Sequence, residues 1–159
     1  MLREEFINAK RIVIKLGTNV LRNADGEVAI SRIYSFIEDM AKLVKQGKEV
    51  ILVTYGAVGL GKKKLNLEST AEDGVKQACA AIGQSRLMSF YENGFGIYDV
   101  PIAQILLTED DFSLRYRYLS LRTTLNKILE FGVVPIINQN DTVSTIEMNP
   151  MMSGMKVCF

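Results

Sequence analysis

Apolar residues along this chain follow two rhythms. Three short runs, "RIVIKLG" (11–17), "EVILVT" (49–54) and "GVVPIIN" (132–138), are apolar at successive positions and rich in β-branched residues. A run that is apolar on both alternating faces suits a strand covered on both sides, as in a parallel sheet. "PIAQILLT" (101–108) is a fourth candidate. Between the runs the rhythm changes. In "SRIYSFIEDMAKLVKQG" (31–47), Ile33, Phe36, Ile37, Met40 and Val44 recur three and four residues apart. Ser31 reads as its N-cap and Gly47 as its stop. "VKQACAAIGQSRLMSFYEN" (75–93) predicts a second helix, weakened by Gly83 and ended by Asn93-Gly94. "RYRYLSLRTTLNKILEFG" (115–132) predicts a third, ending at Gly132. Strands alternating with helices predict an α/β fold: a mainly parallel sheet with helices on both faces. No internal repeat, low-complexity tract or linker interrupts it. The rhythm fails after residue 147, where "MNPMMSGMKVCF" follows.

Composition narrows the class. The chain has 159 residues, 48% of them hydrophobic and 23% charged, in keeping with one soluble globular domain. The net charge of +1 gives no reason to expect nucleic acid or an anionic membrane as partner. The chain has no histidine, and its two cysteines, Cys79 and Cys158, are far apart, which argues against a zinc site or a histidine-based triad. "MLREEFINAK" lacks the apolar core of a signal peptide, and no run is long enough to span a membrane, so the expected setting is the cytoplasm.

Three polar or glycine-rich segments each follow a strand. In an open α/β sheet the carboxyl ends of strands face the ligand crevice. In "VIKLGTNV" (13–20), Lys15 offers a positive charge, and Gly17 and Thr18 form a turn whose amides can face an anion. The glycine spacing is not that of a Walker A loop, and a plain surface lysine is the competing reading. "TYGAVGLG" (54–61) brings Gly56, Gly59 and Gly61 to the start of a helix, either for close approach to a ligand or for tight packing. "NQNDTVS" (138–144) sets Asn138, Gln139, Asn140 and Asp141 after a buried strand. Its amides and carboxylate suit an amino acid with its ammonium group, or a polar turn. "TEDDF" (108–112) reads as an acidic helix start rather than a Mg²⁺ site, and "RYRY" (115–118) as a helix face rather than a nucleic-acid patch.

Taken in order, "RIVIKLGTNVL", "EVILVT" with "GAVGLG", "KQACAAIGQSRLM", "PIAQILLTEDDF", "LRTTLNKIL" and "GVVPIINQNDTVSTIE" closely resemble the glutamate 5-kinase branch of the amino acid kinase family. The resemblance runs from about residue 10 to residue 147. It implies an αβα sandwich and transfer of the ATP γ-phosphoryl group, with Mg²⁺, to the side-chain carboxylate of L-glutamate, the first step of proline biosynthesis. It implies that Lys15 is catalytic and that Lys15, Gly17 and Thr18 lie on the phosphate side. Tyr55, Gly56, Ala57, Asn138, Asn140 and Asp141 fall at the substrate positions. No protein metal ligand is expected in the chain. A homo-oligomer, or association with an intact kinase, is the expected assembly.

The departures from the pattern are specific. Tyr55 stands where the family usually has serine, which predicts weakened glutamate binding. Ser120 replaces an expected asparagine, and Gly74 and Gly94 replace larger residues. After Glu147 the family's Gly-Asp-Asn-Asp motif is replaced by "MNPMMSGM". The resemblance therefore implies that residues 1–147 are the N-terminal, glutamate-side part of the domain, that 148–159 are a divergent tail and that the ATP-binding half is absent. The competing expectation is a catalytically inactive remnant, or a binding or regulatory module of the same family.

Overall fold

The computed structural model describes residues 8–144 apart from 18, 19, 22, 24–27 and 73. The expected tail at 148–159 lies outside the described residues. Among the described residues four strands and five helices follow in the order β1 (Arg11–Leu16), α1 (Ile30–Lys45), β2 (Glu49–Thr54), α2 (Ala57–Lys64), α3 (Val75–Gly96), β3 (Ile102–Leu107), α4 (Asp110–Ser113), α5 (Arg115–Glu130) and β4 (Val134–Gln139). All four apolar runs form strands, and every pairing is parallel, in the order β1-β2-β4-β3.

This order explains how the helices divide. The connections β1→β2 and β2→β3 step across the sheet in one direction, and β3→β4 steps back. Right-handed crossovers then place the first helices on one face and the last on the other. The core has this arrangement. Val50, Leu52, Val134 and Ile136 pack with Ile33, Ile37 and Met40 of α1 and with Leu87, Tyr91 and Phe95 of α3. The alternate residues Ile51, Leu107 and Ile137 pack with Leu125 and Leu129 of α5. Successive strand side chains point to opposite faces, so an uninterrupted apolar run feeds both layers. The result is an αβα sandwich.

Two helix boundaries differ from expectation. Ser31 is not the N-cap of α1: the cap is Ala29, whose carbonyl accepts from Ile33 N at 3.0 Å. The backbone of Ala29 is itself held by Leu21 O at 2.9 Å, and this fixes where the helix can begin. Nor does α3 stop at Asn93-Gly94; it runs to Gly96. Gly94 lies inside it, where a Cβ would come within 2.5 Å of Ile37 Cδ1, so the glycine admits α1 rather than ending α3. Gly83 has a similar role. A Cβ there would lie 2.6 Å from Gly61 N and closer still to the Ala57 carbonyl. Gly61 in turn leaves no room for a Cβ against the Cys79 backbone. Helices α2 and α3 thus meet backbone to backbone, and part of the glycine content after β2 serves this contact.

Candidate functional site

The parallel register brings the four strand ends to one level. Leu16 of β1 lies opposite Thr54 of β2, Val53 opposite Ile137 of β4, and Asn138 opposite Leu106 of β3. The segments that leave β1, β2 and β4 therefore open on one edge of the sheet. Lys15, Gly56-Ala57 and Asn138–Asp141 all belong to that edge. Thr18, expected in the phosphate-side turn, lies outside the described residues. Gly17 is described, and its carbonyl accepts from Val20 N at 3.0 Å, closing a turn directly after β1.

The turn after β2 owes its shape to Gly56. Its φ of +105° is unfavourable for any residue with a Cβ. That conformation lets the chain pass from Thr54 into α2 within two residues, and Leu60 N donates to Gly56 O at 3.0 Å in the first helical turn. The early amides of α2 have no partner four residues before them, so this end of the helix favours an anion. Beside it, the Lys15 ammonium sits 5.3 Å from the centre of the Tyr55 ring. Lys15 is exposed and Tyr55 half-buried. Burial raises the Tyr55 phenol above its ordinary value, so it stays neutral.

The third segment is braced from within. Asn138 Nδ2 donates to Gln84 Oε1 of α3 at 2.8 Å, and Gln139 N donates to Asn138 Oδ1 at 2.9 Å. These two bonds fix the orientation of both amides. They also leave Gln84 Nε2 buried with no hydrogen-bond partner among the described residues. Asn140 N donates to Leu107 O at 2.8 Å, and Asn140 O accepts from Ser144 N at 3.0 Å, which turns the chain past Asp141. Gln139 Nε2 reaches Ser144 Oγ at 3.3 Å.

Sequence reading placed the three segments but missed their support. Thr54 is bonded to Tyr91 of α3 with 2.7 Å between the hydroxyl oxygens, and Asn138 is bonded to Gln84 of the same helix. Neither Tyr91 nor Gln84 stood out, because a polar residue within a helix reads as solvent-facing until its face is known. Among the described residues no group of three or more His, Cys, Asp or Glu side chains is placed to hold a metal ion. The acidic segment after β3 is a short helix start: Asp111 Oδ2 accepts from Thr108 N at 2.7 Å and from Thr108 Oγ1 at 2.9 Å.

A lysine, a glycine-shaped helix start and an amide-carboxylate turn stand at the ends of adjacent parallel strands, the arrangement of an open α/β protein. The chain belongs to the amino acid kinase family, whose model matches residues 10–149. It is similar to the protein named glutamate 5-kinase in Desulfotalea psychrophila, at 49% identity over 148 residues. It also resembles those so named in Pelobacter propionicus, at 42% over 149 residues, and in Myxococcus xanthus, at 44% over 153 residues. These matches take in 92%, 93% and 93% of this chain but 39%, 40% and 40% of the respective relatives. The chain therefore spans about two fifths of their length. No helix among the described residues is long and apolar enough to cross a membrane.

Proposed function

We propose that residues 1–147 form the glutamate-side part of a glutamate 5-kinase, acting on L-glutamate and ATP in the cytoplasm. The observation that carries this reading is the meeting of Lys15, Gly56-Ala57 and Asn138–Asp141 on one edge of the sheet, in a chain 42–49% identical to relatives of that name. In the reaction, an oxygen of the glutamate side-chain carboxylate attacks the γ-phosphorus of ATP. The bond to the β–γ bridging oxygen breaks and ADP departs. An acyl phosphate forms, and no proton changes hands.

Such a transfer depends on positioning and on neutralising charge rather than on covalent help from the protein. Lys15 supplies positive charge beside the phosphoryl group, and the turn closed at Gly17 lies on the same side. The first amides of α2, beginning at Gly56-Ala57, face the reacting carboxylate. Asp141 pairs with the substrate ammonium, with Asn140 beside it. Asn138 acts at one remove, since both ends of its amide already brace β4. The lysine and the glycine turns suit a terminal phosphate. Mg²⁺ keeps most of its shell from water and phosphate oxygens and needs only one or two carboxylates, so it would arrive on the nucleotide. The nucleotide pocket itself is assigned to the portion of the relatives that this chain does not match. Association with an intact kinase would supply it.

The test is ATP-dependent formation of γ-glutamyl hydroxamate from glutamate and hydroxylamine by the folded 159-residue chain, alone and mixed with an intact kinase. Formation above a Lys15→Ala control supports the reading. No formation by the chain alone and no increase over the intact kinase by itself in the mixture, from protein shown to be folded, overturn it in favour of a binding module of the same family.

A further inference from the structure

The family pattern puts serine where this chain has Tyr55, and a bulky ring there reads from sequence as an obstruction. The structure shows what the ring faces. Lys15 pairs with Val53 across the β1–β2 register, and Tyr55 follows two residues later, where the chain leaves β2. The ring then meets the ammonium at 5.3 Å from its centre. Tyr55 also borders a small apolar hollow of about 20 Å³ lined by Leu21, Leu60, Leu87 and Phe90.

A lysine ammonium on a four-carbon stem is a mobile charge. An aromatic face within about 6 Å attracts it through the ring quadrupole. Unlike a carboxylate, a neutral ring does not cancel the charge that it holds. We propose that Tyr55 is a positioning residue for Lys15: its ring holds the ammonium at the β1–β2 mouth, where a phosphate group would meet it. This rests on the reading of Lys15 as the phosphate-side lysine and deepens it.

The experiment follows the Lys15 ε-methylene resonances by NMR and measures inorganic tripolyphosphate binding by calorimetry. The proteins compared are the wild type, Tyr55→Phe, Tyr55→Leu and Lys15→Ala. Expected are an upfield ring-current shift of the Lys15 ε protons in the wild type and in Tyr55→Phe, and its loss in Tyr55→Leu. Tripolyphosphate binding should weaken severalfold in Tyr55→Leu, persist in Tyr55→Phe and weaken most in Lys15→Ala. Unshifted Lys15 resonances in the wild type overturn the proposal, whatever the variants do. So does undiminished binding in Tyr55→Leu while Lys15→Ala still loses it, a result that leaves the phosphate-side reading intact. If Lys15→Ala binds tripolyphosphate as the wild type does, that reading fails and the positioning role falls with it.

Discussion

Thr54 Oγ1 and the Tyr91 hydroxyl lie 2.7 Å apart, with both residues fully removed from solvent. Either hydroxyl can donate, and each is the other's partner at the point where β2 gives way to the Gly56 turn. Tyr91→Phe keeps the ring but strands the threonine hydroxyl in the core. An unpaired buried polar group costs about 1–3 kcal/mol. Tyr91→Phe should destabilise by that amount in urea unfolding. The double variant Thr54→Val with Tyr91→Phe should recover most of the loss, because neither polar group then remains. Additive losses would show that the pair does not act as a unit.

The same tyrosine predicts an alkaline weakness. Burial raises its phenol from 10.0 to about 12, against the opposing effect of the Thr54 hydrogen bond. The folded protein therefore keeps a proton that the unfolded chain releases above its ordinary value. Stability from this group is intact below the unfolded value and is lost as pH rises through the folded one. Two units correspond to on the order of 2–3 kcal/mol. The urea midpoint of the wild type should fall more between pH about 9 and about 11.5 than that of Tyr91→Phe. Equal slopes would remove Tyr91 as the cause.

Acid acts at the other end of the sheet. Glu49 accepts from Arg11 Nε at 2.7 Å, with Lys10 Nζ at 3.3 Å, on the entry side of β1 and β2. The hydrogen bond to Arg11, with the two positive charges, holds the Glu49 carboxyl below its ordinary 4.5. Its contribution is present above that value and disappears as pH falls through the depressed folded value. Lys10 is exposed, so solvent screening limits the effect to on the order of 1 kcal/mol. Glu49→Gln should lower stability at pH 7 by that much and flatten the decline towards pH about 3.

Gly83→Ala and Gly96→Ala place the same methyl group in the same helix and should act in opposite directions. At Gly83 the methyl meets the backbone of Ala57 and Gly61, which cannot yield without parting α2 from α3. Overpacking of this kind costs about 1–3 kcal/mol, and more where backbone must move. At Gly96 nothing lies within 4 Å, so alanine should stabilise by up to about 1 kcal/mol through helix propensity. Thermal unfolding of both variants checks the pair. A neutral Gly83→Ala would mean that the close contact of α2 and α3 is not needed.

The strands were legible because burial on both faces leaves a one-dimensional trace: Val50 to Val53 are apolar without a break, and this run fixed β2 to the residue. The three strand-end segments were legible for a related reason, since glycines and amides directly after such runs mark strand exits. Gly94 misled because a glycine after asparagine looks the same whether it ends a helix or admits a neighbour, and Ile37 decides the matter from 57 residues away. That the Tyr55 ring faces the Lys15 ammonium was not legible, because size is visible in a sequence and direction is not. Gln84 and Tyr91 left no local signal at all, as their partners Asn138 and Thr54 lie 54 and 37 residues distant.

Helix α3 grips two different strands, β2 through Tyr91 and β4 through Gln84, from positions two turns apart on a single rod. A helix is stiff over that span. Any tilt or slide of α3 must therefore drag the exits of β2 and β4 together. The turn after β2 and the turn after β4 are therefore geared to each other, and a push on the outer end of α3 would move both strand exits at once.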